Sequence, residues 1–158
     1  MAKTTHGPPE CLRADGQAVL AANEYVLEQQ IGFVLRQVNQ RHTVIFAKHM
    51  PEGLTTTQFS VMVRLYEHGP LSRARVGRLT AMDAATIKGV TDRLQARVYV
   101  RTSLDASDAR LRVLSLTDMG RRLTQTAMSS GLEISGATLS PLSAPERRAL
   151  LGLLRRLV

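Results

Sequence analysis

Ser72-Arg73-Ala74-Arg75-Val76-Gly77-Arg78-Leu79-Thr80-Ala81-Met82-Asp83-Ala84-Ala85-Thr86-Ile87-Lys88-Gly89-Val90-Thr91-Asp92-Arg93-Leu94 sets two short helices back to back. Ser72 is placed to cap the first, which contains Val76 and Leu79, and Asp83 to cap the second after a turn at Ala81-Met82. Ile87, Val90 and Leu94 recur at helical spacing and mark the buried side of the second helix. Gly77 removes side-chain bulk where the two helices would cross. Two short helices joined by a tight turn make a helix-turn-helix, a pattern that any helical bundle can also contain. The residues that follow narrow the choice. Tyr99 to Leu104 and Leu111 to Leu116 are rich in β-branched and apolar residues. They flank Asp105-Ala106-Ser107-Asp108-Ala109-Arg110, a polar segment of the kind that turns a hairpin.

A helix-turn-helix running into a hairpin that carries Arg110 and Arg112 is a winged helix in outline. The expected fold is therefore mainly α with a small β-hairpin wing. Outward from it, Pro8-Pro9, Gly7 and Gly16 make residues 1–17 a loose arm. A long helical pattern runs from about Val19 to His49, with Leu27, Ile31, Val34/Leu35, Val38, His42, Ile45/Phe46 and His49 in one stripe, and Pro51 and Gly53 end it. A further helix is capped within Thr55-Thr56-Thr57, carries Phe59, Met62, Val63 and Tyr66, and closes at Gly69-Pro70. Beyond the wing, Thr117 caps a long helix with Met119, Leu123, Thr126/Ala127, Ser130, Ile134 and Ala137 along one side. Ser143-Ala144-Pro145-Glu146 is a capping box for a last helix that sets Leu150, Leu153, Leu154 and Leu157 against Arg147, Arg148, Arg155 and Arg156. The expected division is an arm (1–17), an N-terminal dimerisation and effector helix (18–50), the winged helix-turn-helix lobe (51–116) and C-terminal dimerisation helices (117–158). Small winged-helix cores cannot cover the outer stripes, and a two-fold partner is the simplest cover. The alternative is a monomeric bundle that folds the outer helices on themselves.

Charge points the same way. The chain has 158 residues, 21 Lys+Arg against 13 Asp+Glu, and a formal net charge of +8. Nine basic and four acidic side chains fall between Ser72 and Arg112, so a quarter of the chain holds most of that charge. Such a concentration suits a polyanionic partner, although a solvated basic face is the plainer account. All but Lys3, Lys48 and Lys88 of the basic residues are arginines, whose guanidinium forks pair phosphate and guanine edges. No apolar run is long enough to span a bilayer, and the N-terminus lacks the apolar stretch of a secretory signal. The lone cysteine, Cys11, rules out an intrachain disulfide and fits a reducing cytoplasm. There is no GxSxG, HExxH, P-loop or GxGxxG motif, so neither an enzyme nor a cofactor is expected.

The Leu71-to-Leu94 helix-turn-helix, the wing Asp105-x-x-Asp108-x-Arg110 and the stretch Ser115-Leu116-Thr117-Asp118-x-Gly120 resemble the MarR family of winged-helix transcriptional regulators, over roughly residues 20–158. The resemblance implies a homodimer, a recognition helix in the major groove, a wing reaching the minor groove, and often a small anionic or phenolic effector. Two positions depart from the family pattern. Val98 stands where glycine is usual between recognition helix and wing, and Ala109 replaces the first of two adjacent wing arginines. The segment Thr80 to Val90 is similar to regulators of aromatic-acid breakdown, nicotinate-type heteroaromatics included.

With Ile87, Val90 and Leu94 turned inward, Ala85, Thr86, Lys88, Gly89, Asp92 and Arg93 face outward, with Ala84 at the edge. Ala85 and Gly89 are small enough to let the helix approach the groove floor. Thr86 can bond a base edge or touch a thymine methyl, and Lys88 can reach guanine acceptors. Arg93, Ser72 and Arg73 suit phosphate. Asp92 would repel DNA unless it orients a neighbouring arginine. Arg110, and with it Arg112, would enter a narrow minor groove. The expected partners are thus double-stranded DNA with a pseudo-palindromic operator, half-sites about 10 base pairs apart, a second copy of the chain, and a small anionic aromatic effector. His42 and His49, on the apolar stripe, are either core histidines or, beside Phe46, Phe59 and Met62, groups that hold that effector. Their spacing is poor for a metal. Cys11 lacks an activating neighbour in sequence. A redox- or metal-responsive regulator of the same fold, a non-specific architectural DNA binder and a protein-binding module remain the competing readings.

Overall fold

The computed structural model describes residues 25–108 and 110–158. The arm, Cys11, the start of the first helical pattern and Ala109 lie outside the described residues. The chain divides into two units at Gln37/Val38.

In the first unit, a 3-10 turn at Leu27–Gln29 precedes helix α1 (Ile31–His49), whose first residues belong to this unit. The single helix expected from about Val19 is therefore interrupted. Gln30 is extended, its N–H closes the 3-10 turn on Leu27 O, and its side chain donates to Val26 O at 3.1 Å. Spacings of three and four residues are common to both helix types, so the apolar stripe could not reveal the break. Ile31, Val34 and Leu35 are exposed, and the Arg36 guanidinium lies over the Phe33 ring.

The second unit carries the rest of α1, then α2 (Thr56–His68), β1 (Leu71–Ser72), α3 (Arg73–Leu79), α4 (Ala84–Ala96), β2 (Val100–Leu104), β3 (Arg112–Leu116), α5 (Asp118–Thr138) and α6 (Ala144–Arg155). Each expected cap forms. Thr55 and Gln58 exchange a capping box, Ser72 Oγ accepts from Arg75 N, Asp83 from Thr86 N and Thr117 Oγ1 from Gly120 N. At α6 the Glu146 carboxylate takes both the backbone N–H and the hydroxyl of Ser143. The sheet has three antiparallel strands in the order β1-β3-β2, with Leu71 opposite Leu114 and Thr102 opposite the same residue from the other side. β1 was not expected: at two residues it has no period to read, and its pairing with β3 spans the whole of α3 and α4.

The core joins Val61, Met62 and Leu65 of α2 to Val76, to Ile87, Val90 and Leu94 of α4, to the sheet residues Leu71, Val100, Leu114 and Leu116, and to Ala127 and Ile134 of α5. Gly77 makes the helix-turn-helix crossing tight, since a Cβ there would sit 3.1 Å from Met82 O and 3.5 Å from Ile87 Cγ2. Gly120 is more constrained still. A Cβ there would lie 2.0 Å from the Tyr99 carbonyl oxygen, which accepts from Thr117 N. That approach fixes the phase of α5. Its buried positions are Gly120, Thr124, Ala127 and Ile134; of the expected pair Thr126/Ala127 it is Ala127 that lies inside, whereas Met119, expected on the inner side, is exposed.

Candidate nucleic-acid interface

On α4, Ile87, Val90, Thr91 and Leu94 are buried, and Ala84, Ala85, Thr86, Lys88 and Arg93 are exposed, with Gly89 half-buried among them. Two of these side chains are held by carboxylates of the same helix. Asp83 accepts from the Thr86 backbone N–H at 2.7 Å and from its hydroxyl at 2.9 Å, and these bonds, the backbone one foremost, keep the Asp83 carboxyl below the ordinary 3.8. The Thr86 oxygen retains its acceptor capacity and its methyl group for a base. Lys88 Nζ lies 2.6 Å from Asp92 Oδ2, while Arg73 Nη2 donates to Asp92 Oδ1 at 3.4 Å. The Lys88 hydrogen bond, seconded by the charges of Lys88, Arg73 and Arg93, holds Asp92 below its ordinary value. Asp92 thus orients an arginine, as expected, and a lysine besides. The Arg93 guanidinium packs against Gly89, whose missing Cβ would be 3.7 Å from Nη1.

The wing is arranged so that its acids serve its own backbone. Asp105 Oδ1 accepts from Ser107 N at 2.8 Å and Asp108 N at 3.2 Å, and also from the Ser107 hydroxyl, which does most to hold that carboxyl low. Asp108 Oδ1 accepts from Arg110 N at 2.9 Å. Both Asx turns stiffen the tip and leave the exposed Arg110 side chain projecting beside them. Arg112 is exposed at the outer end of β3, opposite Leu104. With Arg73, Gln95, Thr102 and Leu114 it lines a cavity of 380 Å³. Arg73 Nε is buried there without a protein acceptor. Ser72 is occupied as the cap of α3. Val98 joins α4 to the wing at a φ of +60°, with its carbonyl accepting from the Thr117 hydroxyl at 2.7 Å.

Of the five residues expected to hold an effector, the structure brings three into a row. The His42 and Phe46 rings are 5.9 Å apart, the Phe46 and Phe59 rings 6.0 Å, and His42 Nδ1 is 2.9 Å from Thr138 Oγ1. Met62 is completely enclosed in the core. His49 is exposed and donates from Nδ1 to Ile45 O on its own helix. An open groove of 820 Å³ includes Phe59 but none of the other four. It is lined by Val63, Arg64, Arg78, Met128 and Leu132, and by the helix-turn-helix turn Leu79–Ala81. Arg64 Nε donates to Leu79 O at 3.2 Å, so α2 grips that turn directly. The signal for Arg64 in the sequence was a cation set inside the apolar run Val61–Tyr66; its acceptor, 15 residues away, was not readable. Among the described residues there is no cluster of three or more metal-ligating side chains, and no helix long and apolar enough to cross a membrane.

A helix-turn-helix with a solvent-facing α4, flanked by an arginine-bearing hairpin, defines a winged-helix DNA-binding regulator. No protein-family model matches the chain, but individual relatives do. It is 38% identical over 142 residues, 89% of this chain and 90% of the relative, to the HTH-type transcriptional repressor NicR of Pseudomonas putida. A probable transcriptional regulator from Pseudomonas aeruginosa is 47% identical, with 84% of this chain and all of that one covered and a TM-score of 0.81. BpsR of Bordetella bronchiseptica, solved to explain how 6-hydroxynicotinic acid regulates its DNA binding, is 36% identical over 84% of this chain and 96% of its own, with a TM-score of 0.79. The chain belongs to the MarR family of winged-helix transcriptional regulators.

Proposed function

We propose that the chain is a homodimeric repressor that reads a pseudo-palindromic operator and lets go of it when a small aromatic acid binds. The observation that carries the DNA part is the uncovered face of α4. Small Ala84, Ala85 and Gly89 let the backbone near the bases, Thr86 and Lys88 present groups that can meet base edges, and Arg93 stands ready for phosphate, while Arg73 is held by Asp92. Arg110 and Arg112 extend the contact into the neighbouring minor groove. Two such lobes related by a two-fold axis require half-sites about 10 base pairs apart. Support for the second copy comes from α6, which has no buried residue and exposes Leu150, Leu151 and Leu153, with Leu157 exposed just beyond it.

For the effector, the supporting chemistry is the 820 Å³ groove, where Arg78 can meet a carboxylate, as can Arg64 once it exchanges Glu67, its partner at 2.8 Å on the groove wall, and Phe59, Val63, Met128 and Leu132 can meet a ring. The row His42–Phe46–Phe59 adjoins it through Phe59. A carboxylate that draws the Arg64 guanidinium away from Leu79 O loosens the grip of α2 on the helix-turn-helix turn and so changes where α4 stands. Such a switch needs the ligand to prefer the released arrangement. Likeness to BpsR makes 6-hydroxynicotinate the first acid to try.

The test is a gel shift on a duplex that the protein itself selects from a random pool, competed with unrelated DNA. A footprint on one palindrome is expected, and its release by hydroxynicotinate, benzoate, salicylate or hydroxycinnamate, with a matching rise in melting temperature. Equal affinity for all duplexes would make the chain an architectural binder. Retention of the footprint with every acid would remove the effector half alone.

A further inference from the structure

Asp92 is a carboxylate on the face of α4 that meets a polyanion, which is a costly place for it. A bare negative charge there opposes every phosphate that approaches. Yet it is the hub of that face. One oxygen takes Lys88 at 2.6 Å, and the other takes Arg73 at 3.4 Å. The Nε of Arg73 is buried without a partner, so the Asp92 carboxylate is what holds that guanidinium. Lys88, one turn earlier on α4, is the lysine of the outward face. Asp92 therefore ties up two of the cations that would otherwise bind any duplex.

We propose that Asp92 is a specificity-determining residue: it withholds Lys88 and Arg73 from phosphates and releases Lys88 only to a G·C pair. In the major groove a guanine offers two acceptors, O6 and N7, while its cytosine offers one donor, the N4 amino group. Lys88 and Asp92, side by side on one helix face, present a donor and an acceptor in the matching arrangement. At that base pair the ammonium exchanges the carboxylate for guanine, and the vacated Asp92 oxygen is satisfied by the cytosine amino group. On a non-cognate site the exchange leaves the carboxylate facing phosphate or a thymine methyl with no donor, so the internal pair persists. This inference rests on α4 being the base-reading helix, as proposed above.

The experiment uses the full chain and two duplexes, one selected by the wild-type protein from a random pool and one a scramble of it. Affinity is measured across a range of salt. Asp92→Asn frees two cations at once. Each further phosphate that a freed cation neutralises steepens the log-log salt slope by about 0.9. Binding to the scrambled duplex is expected to tighten roughly tenfold near 0.2 M salt, with a slope steeper by up to about 1.8. Binding to the selected duplex changes much less, so discrimination falls by about the same tenfold. Repeating the selection with Asp92→Asn should relax the preference at one G·C position in each half-site. Lys88→Gln, which leaves Arg73 on Asp92, should weaken the selected duplex and spare the scrambled one.

Unchanged scrambled affinity and slope in Asp92→Asn, with wild-type discrimination intact, would overturn the proposal and leave the DNA-reading role of α4 standing. So would an equal loss on both duplexes together with a lowered melting temperature, since that is the mark of a merely structural ion pair. A wild-type protein that selects nothing from the pool would instead remove the reading on which this inference rests, and the inference with it.

Discussion

Helices α4 and α6 are nearly the same length, 13 and 12 residues, and each leaves a face uncovered, but the uncovered faces differ in kind. On α4 the opposite side is buried through Ile87, Val90, Thr91 and Leu94, and what remains outside is small, polar or cationic. On α6 nothing is buried, and what remains outside includes Leu150, Leu151 and Leu153, the last at 57% exposure. The first helix is packed where it is and has a surface that water can solvate. The second is an amphipathic helix whose apolar stripe has no cover, and short helices of that sort owe their stability to packing. The small, cationic bare face suits the nucleic acid proposed for it; the apolar one suits the proposed second copy.

The sharpest way to break that contrast is Leu153→Glu. A charge in the middle of the α6 stripe is expected to halve the mass seen by light scattering. Because two linked half-site contacts add about 10²–10⁴ in avidity over one, operator affinity should fall by a factor of that order. The same substitution leaves the α4 surface untouched, so residual binding to a single half-site should persist. A dimer of unaltered mass would mean that the α6 leucines are not the interface.

Gly120→Ala attacks the lobe instead. The new methyl would meet the Tyr99 carbonyl at 2.0 Å, and that oxygen is backbone already accepting from Thr117 N. Overpacking against a fixed group costs about 3 kcal/mol, which urea unfolding would register as a lower midpoint with the slope unchanged. Both α5 and the base of the wing depend on that approach, so wing and helix should loosen together.

Much of this architecture was legible because it is local. Ser72, Asp83, Thr117 and Ser143 announce helix starts by bonding backbone within the next three residues, and each does so. The Asp-x-x-Asp-x-Arg wing folds on its own backbone in the same way. What escaped is set at long range. β1 exists only because β3 returns to it. The phase of α5 is decided by one carbonyl on the far side of the hairpin. Arg64 becomes a clamp on the helix-turn-helix through an acceptor on Leu79, and the apolar stripes that suggested His49 on one helix and Met62 on the next carried no sign that the one is exposed and the other sealed in the core. Outward Thr86 and Lys88 were readable as positions, but their engagement by Asp83 and Asp92 depended on rotamers.

Arg110→Ala probes the cationic side of the comparison with a smaller effect. Its backbone N–H is already used by Asp108, so truncating the side chain leaves the tip folded. Loss of one charge-assisted contact in the minor groove should weaken operator binding by ~1–3 kcal/mol and flatten the salt slope by about 0.9. Unchanged affinity in a titration at fixed salt would take the wing out of the interface.

Val98→Gly gives the smallest effect and the opposite sign. Val98 holds a φ of +60°, and for a β-branched residue that left-handed conformation costs about 1–2 kcal/mol. Its side chain is 60% exposed, so little packing is lost with it. The bonds that make the corner, Val98 N to Gln95 O at 2.9 Å and the Thr117 hydroxyl to Val98 O at 2.7 Å, belong to the backbone and survive in glycine. Against the relief stands the extra freedom of glycine in the unfolded chain, about 0.4–1 kcal/mol. The difference favours glycine by roughly 1 kcal/mol, a rise of about 2–4 °C in melting temperature for a chain of this size. Operator affinity should stay as it was, since Val98 lies at the root of the wing and contributes no group to the duplex. A lower melting temperature would mean that the valine side chain packs against something more than solvent, such as the second copy of the chain.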